Sequence, residues 1–241
     1  VINHAVMLAP ILLAQAVRVR RATPRLPGAT GPVSGLVRGE GGPLRLAVLG
    51  ESTVDGVGAA THAEALTGQL ADALARGGRA VAWQAVGRTG ANARVAREDL
   101  LPLLEPADLV VIALGVNDTI ELHSATRYRR DLLDLMVSLR RRAGHVPVVL
   151  AGVPPMGRFP ALPRPLRDVL GARSGALDAA AARLGSLPGV VHVQMPAAML
   201  DPATFAEDRF HPGPEGYRRW AEQLADVSRR LLSDTIQPEN R

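Results

Sequence analysis

Five short, predominantly apolar runs recur along the chain: 44–49 (LRLAVL), 80–86 (AVAWQAV), 109–114 (LVVIAL), 147–152 (PVVLAG) and 190–194 (VVHVQ). Stretches of helical length lie between and after them, at about 61–77, 92–104, 125–143, 166–186 and 214–233. This alternation constrains the fold more than any other feature of the chain. A strand that is apolar at nearly every position needs cover on both faces, and helices between successive strands supply it when the strands run parallel. Right-handed crossovers then give a three-layer α/β/α sandwich of the flavodoxin-like kind, built on a five-stranded parallel sheet. Thr61 followed by Glu64 reads as a capping box opening the first of these helices, and Gly77-Gly78 as its stop.

The folded domain is expected over residues 44–233, with a tail at 234–241. Residues 23–43 are rich in Gly and Pro without periodicity, which reads as a linker or surface wrap. Residues 1–22 hold an apolar run closed by Arg18-Val19-Arg20-Arg21. Thirteen residues of helix, about 20 Å, are too short to span a hydrocarbon core. The segment reads either as a signal or anchor remnant, given Ala14-Gln15-Ala16, or as a helix that packs on the domain or makes peripheral contact with a membrane surface.

Charge and composition narrow the function. The formal net charge is +5, and all 28 basic residues are Arg, spread along the chain in short clusters. That dispersal reads as solvated surface, and no nucleic-acid partner is expected. The absence of cysteine excludes a disulfide scaffold, a thiolate zinc site and a cysteine nucleophile. His4, His62, His123 and His145 have no companions at ligand spacing, so no metal site is expected. His192, inside the fifth strand, reads as a satisfied core or edge histidine.

In a parallel sheet all the loops that follow strands gather at one edge, where ligands bind. Those loops carry Gly50-Glu51-Ser52-Thr53, then Gly87-Arg88-Thr89-Gly90-Ala91-Asn92, then Gly115-Val116-Asn117-Asp118, then a Pro-rich segment from Val153 to Pro165, and finally Asp208-Arg209-Phe210-His211-Pro212. A serine hydroxyl is a poor nucleophile near neutral pH unless a base lies within hydrogen-bond reach. A neutral imidazole suits that task, and a carboxylate on its other nitrogen fixes the tautomer. Asp208-x-x-His211 lets one loop supply both groups. Backbone N–H groups of Ser52 and Gly90, with the Asn117 amide, can converge on a developing oxyanion. Gly87 is the alternative glycine. Met156 and Phe159 are candidates for lining an acyl pocket. Asp118, Asp55 and Glu51 read as braces for neighbouring backbone.

These blocks, LGEST, GRTGAN, LGVND and DRFHP, resemble in kind and order those of the SGNH (GDSL-type) hydrolase superfamily. The resemblance covers about residues 44–233. It implies a carboxylesterase or lipase working without metal or organic cofactor, with Ser52 as nucleophile, His211 as base, Asp208 as its carboxylate, and Ser52, Gly90 and Asn117 as oxyanion donors. Two departures stand out: Glu51 replaces the usual aspartate before the serine, and Thr53 replaces the usual leucine. The implied partner is a small-molecule or lipid ester, with the apolar N-terminus favouring lipid-like substrates. The alternative is a non-enzymatic phosphate- or small-ligand-binding domain, since GESTVDGVG is a Gly-rich strand-to-helix turn. It lacks the P-loop lysine and the G-x-G-x-x-G fingerprint, and it has no use for Asp208-x-x-His211.

Overall fold

The structure, a computed structural model, describes residues 4–236. The first three residues of the N-terminal segment and the last five of the expected tail lie outside them. Strands β1 (Ser34–Val37), β2 (Glu40–Gly50), β3 (Arg79–Gly87), β4 (Leu109–Ala113), β5 (Val148–Ala151) and β6 (Val190–Val193) form one sheet in the order β1-β3-β2-β4-β5-β6. The five expected strands, β2 to β6, run parallel in flavodoxin-like order.

The sixth strand was not expected. β1 falls within the predicted linker and pairs antiparallel with β3 at the sheet edge. Gly35 makes the pairing possible, because a Cβ there would lie 2.8 Å from the Trp83 indole. The rest of that segment also ties down. Ala29 N–H donates to Asp55 O at 2.9 Å and Thr30 N–H to Ala60 O at 3.0 Å, so the wrap holds the turn after β2.

Side chains alternate across the sheet with the period of two that a strand imposes. Leu46, Val48, Leu109, Val111 and Val149 point to one face, under helices α2 (Leu66–Ala75) and α7 (Pro214–Ile236). Ala47, Leu49, Val110, Ile112 and Leu150 point to the other, under α5 (Ala125–Ala143) and α6 (Leu166–Ala182). Two turns of helix, α3 (Ala93–Val95) and α4 (Val116–Ile120), open the segments after β3 and β4. The capping box did not form. Residues 61–64 make a turn in which Thr61 O accepts from Glu64 and Ala65 N–H, and α2 begins at Leu66 without a side-chain cap. The expected helix at 92–104 winds through π and 3-10 geometry after α3, with Pro102 in its last turn.

The N-terminal helix α1 (His4–Ala22) packs on the domain. Its half-buried stripe includes Leu12, Gln15 and Val19. Leu12 and Val19 meet a cluster holding Met156, Phe159 and Leu166, and Gln15 bonds Arg164 O at 2.6 Å and Leu166 N–H at 3.0 Å. No helix among the described residues is long and apolar enough to cross a membrane.

Candidate active site

β2 ends at Gly50, in register with Gly87 of β3 and Ala113 of β4. Both glycines are there for room. A Cβ on Gly50 would lie 2.3 Å from Ala113 O, and one on Gly87 would lie 2.3 Å from Asp55 N. The turn after β2 therefore sits down tightly on the sheet edge and presents Ser52 beside the neighbouring strand ends. Gly87 is thus a packing residue.

The last loop reaches over to meet it. Phe205 and Pro212 bridge antiparallel, and Ala206 N–H donates to His211 O at 2.8 Å, which closes residues 204–213 into a compact arm. Gly58 in the serine turn admits Pro212 O, 2.2 Å from where a Cβ would be. Tyr217 at the start of α7 donates its hydroxyl to Val57 O at 2.6 Å, pinning the two loops together. Within this frame Ser52 Oγ lies 3.0 Å from His211 Nε2, and His211 Nδ1 lies 2.6 Å from Asp208 Oδ2. Asp208 Oδ1 accepts the backbone N–H groups of Phe210 and His211, each at 2.9 Å. Burial pushes the Asp208 carboxyl up, but the bonds from His211 and the two N–H groups prevail and hold it below the ordinary aspartate value.

Gly90 has φ +85, a left-handed conformation that suits glycine. The backbone N–H groups of Ser52 and Gly90 have no hydrogen-bond partner among the described residues. Asn117 Nδ2 lies 2.5 Å from Glu51 Oε2 and 3.1 Å from Ala91 O. The turn after β3 is fixed from both sides. Asp55 accepts from Thr89 N–H at 3.0 Å and Thr89 Oγ at 2.5 Å, while Asp118 accepts from Ala93 N–H at 3.1 Å. Asp118 also holds His123 Nδ1 at 2.9 Å, and its carboxyl is raised by burial against those bonds. His192 is satisfied by Asp178 at 2.8 Å. Among the described residues no group of His, Asp and Glu could hold a metal ion.

A cleft opens beside Ser52 and His211, walled by Val116, Phe159, Met199, Phe205 and Phe210 among others. It spans ≈ 380 Å³ including space open to solvent, yet the cavity volume it encloses is only ≈ 20 Å³, room for about one water molecule. Phe159 is among the wall residues, whereas Met156 is not. Met156 is fully buried and packs beneath the loop with Leu162 and Leu166. Sequence reasoning missed Phe205 and Phe210. The signal was present: the chain has three phenylalanines, and all three stack edge to face here, with centroids 5.6 and 5.0 Å from Phe159.

A serine at the edge of a parallel sheet thus lies within hydrogen-bond reach of a histidine–aspartate pair on a neighbouring loop. The chain belongs to the GDSL-like Lipase/Acylhydrolase family, whose model matches residues 48–219. It is an ester hydrolase of the SGNH superfamily, and that membership implies a serine-hydrolase mechanism acting on a small-molecule ester. A GDSL-like esterase of Mycobacterium tuberculosis is 26% identical over 247 residues, covering 94% of this chain and 78% of that one. Two solved structures share the fold. The lipase Lip_vut3 from a goat rumen metagenome has a TM-score of 0.63 at 16% identity, over 78% of this chain and 99% of that one. The esterase EstA from Pseudoalteromonas has a TM-score of 0.60 at 17% identity, over 78% of this chain and 98% of that one.

Proposed function

We propose that this protein cleaves short-acyl carboxylic esters through a covalent acyl-enzyme on Ser52. The observation that carries the reading is the unbroken chain from Ser52 Oγ to His211 Nε2 at 3.0 Å and from His211 Nδ1 to Asp208 at 2.6 Å. In this reading His211 takes the proton from Ser52 as Oγ attacks the carbonyl, and returns it to the leaving alcohol. Water enters by the same route and releases the acid. The unpartnered N–H groups of Ser52 and Gly90 and the Asn117 amide hold the oxyanion. Residues 44–233 form the hydrolase domain, with β1 extending its sheet. A phosphate-binding role leaves the Ser52–His211–Asp208 chain without a purpose.

The tight cleft favours a small acyl group, since a long chain meets Phe159, Phe205 and Phe210 within a few carbons. Hydrolysis of p-nitrophenyl acetate, butyrate and octanoate by the wild type and Ser52→Ala tests both points. The expected result is turnover falling from acetate to octanoate, and loss of turnover in Ser52→Ala by at least about 10⁴-fold. Equal activity in the variant removes Ser52 as nucleophile. Octanoate as the best substrate removes the short-acyl reading.

Helix α1 supplies the peripheral membrane contact. Leu13 and Val17 are exposed on its outer side, and Arg18, Arg20 and Arg21 next to them form no ion pair among the described residues. An apolar face ending in unpaired arginines suits an anionic bilayer. Co-sedimentation with vesicles containing phosphatidylglycerol, lost on Leu13→Glu and weak with phosphatidylcholine alone, is the expected outcome. Equal sedimentation of wild type and variant overturns this part.

A further inference from the structure

Glu51 is one of the two residues that depart from the family pattern, and the structure gives its side chain a specific task. It sits at the strand end beside Ser52 and is 2% exposed. Its carboxylate reaches across the sheet edge to the turn after β4. Oε1 accepts Val116 N–H at 2.9 Å; Oε2 accepts Asn117 N–H at 2.9 Å and Asn117 Nδ2–H at 2.5 Å. The turn is shaped to deliver those groups. Gly115 takes φ +130, where a Cβ would strike Val153 and the Tyr128 hydroxyl, and the two N–H groups that follow point back at Glu51.

A primary amide has two hydrogens. Glu51 takes one of Asn117's at the shorter distance. The other faces Ala91 O at 3.1 Å, one residue on from Gly90. The side chain is thereby held at one end by an anion and left with one weakly engaged donor. We propose that Glu51 is a positioning residue for the oxyanion site: its carboxylate fixes the Asn117 amide so that the second Nδ2–H can turn from Ala91 O to the oxyanion. The inference rests on the serine-esterase reading above, with Asn117 as an oxyanion donor. The longer side chain suits the task because it spans from the Ser52 turn to Asn117 while keeping both oxygens on N–H donors.

The charge state matters to this grip. An ionised carboxylate accepts at both oxygens, whereas a protonated one must turn one oxygen into a donor and release an N–H. The titratable groups around Glu51 are Asp118 on α4 and Tyr128 on α5, and no cation among the described residues pairs with it. Burial pushes the carboxyl up to about 7 despite the bonds from Asn117 and Val116, with Asp118 adding repulsion. Falling pH through neutrality therefore loosens Asn117.

The test is a double-mutant cycle on the full chain with p-nitrophenyl acetate: Glu51→Gln, Asn117→Ala and the two combined, with Ser52→Ala as the control for the underlying mechanism. Glu51→Gln is expected to lower kcat about 10- to 100-fold with KM little changed, less than or equal to the ~10²–10³-fold typical of a lost oxyanion donor. The combined variant is expected to match Asn117→Ala, because a residue that acts through another adds nothing once that other is gone. The acid limb of the kcat profile should also flatten in Glu51→Gln, since one of the protons that shuts the wild type down is lost. Multiplying effects in the double variant, or a Glu51→Gln kcat equal to wild type while Ser52→Ala is inert, overturns the inference and leaves the triad standing. An active Ser52→Ala removes the mechanism beneath it. If Glu51→Gln does not fold, Glu51→Asp keeps the charge, shortens the reach and enters the same double-mutant cycle with the same kcat outcomes, the acid limb then staying in place because a titrating carboxyl remains.

Discussion

Asp208 and Glu51 are both buried carboxylates placed on either side of the same serine, and the protein shifts them in opposite directions. Asp208 is 3% exposed and Glu51 2%, but Glu51 lies deeper among protein atoms and is the more strongly desolvated. Their partners differ as well. Asp208 faces the His211 ring at 2.6 Å as well as two backbone N–H groups, and it is held below the ordinary aspartate value. Glu51 faces three N–H groups of one turn, has the like-charged Asp118 nearby, and is pushed up to about 7. Fixed dipoles orient a buried anion well but replace its lost hydration only in part. A ring that can carry a positive charge does more. One carboxylate is thus kept as an anion beside the His211 ring, while the other stays close to titration.

The largest expected effect tests the Asp208 side of this contrast. Asp208→Asn keeps the shape of the arm but removes the charge and offers an amide that favours the wrong tautomer of His211. Turnover of p-nitrophenyl acetate is expected to drop about 10⁴-fold, the order seen when a triad carboxylate is neutralised. Glu51→Gln, equally isosteric, is expected to cost 100-fold or less. Comparable losses from the two substitutions would erase the functional difference between the carboxylates.

The second expectation concerns stability, where the two slopes oppose each other. Asp208 has a lowered folded value, so its contribution is present above the unfolded value of about 4 and is lost as pH falls through the folded one. Glu51 has a raised folded value. Between about 4.5 and about 7 the native state holds a proton that the unfolded chain has released, so stability falls as pH rises across that window. The full difference is on the order of 3 kcal/mol at 1.36 kcal/mol per unit, most of it falling between pH 5 and pH 8. Urea denaturation at pH 5 and pH 8 should show it in the wild type and not in Glu51→Gln. A loss of the same size in both would assign the slope to other groups.

The same contrast marks what could be read in advance. Asp208, His211 and Ser52 were legible because each lies just past an apolar run or in a short spaced pair, and topology brings strand ends together without help from side chains. Glu51 read only as a local brace. Its bonds run to Val116 and Asn117, some 65 residues away, and nothing in local spacing announces that a carboxylate will reach the neighbouring strand end. The edge strand β1 was hidden for a related reason. Ser34-Gly35-Leu36-Val37 pairs on one side alone and owes its place to Trp83, a long-range partner inside a Gly- and Pro-rich stretch. Thr61 and Glu64 show the reverse failure. The capping signature was present, but the chain from Thr30 pairs at Thr61 and the backbone there turns instead of starting a helix.

Phe159 gives the smallest expected effect on turnover and sharpens the comparison from the substrate side. It stacks on Phe205 and Phe210, and Phe210 in turn meets the His211 ring edge to face at 5.2 Å. It touches neither carboxylate, so its removal should change which acyl group fits without changing how the proton moves. Phe159→Ala is expected to lower stability by roughly 3 kcal/mol, as large-to-small substitutions of buried aromatics do. Among the molecules that remain folded, the ratio of kcat/KM for octanoate over acetate should rise several-fold, because the new space extends the enclosed volume beside Ser52. The acid limb of the profile should stay as in the wild type, since Glu51, Asp208 and His211 keep their partners. A shifted limb with an unchanged chain-length ratio would mean that the aromatic cluster steadies the His211 arm instead of gauging the acyl chain.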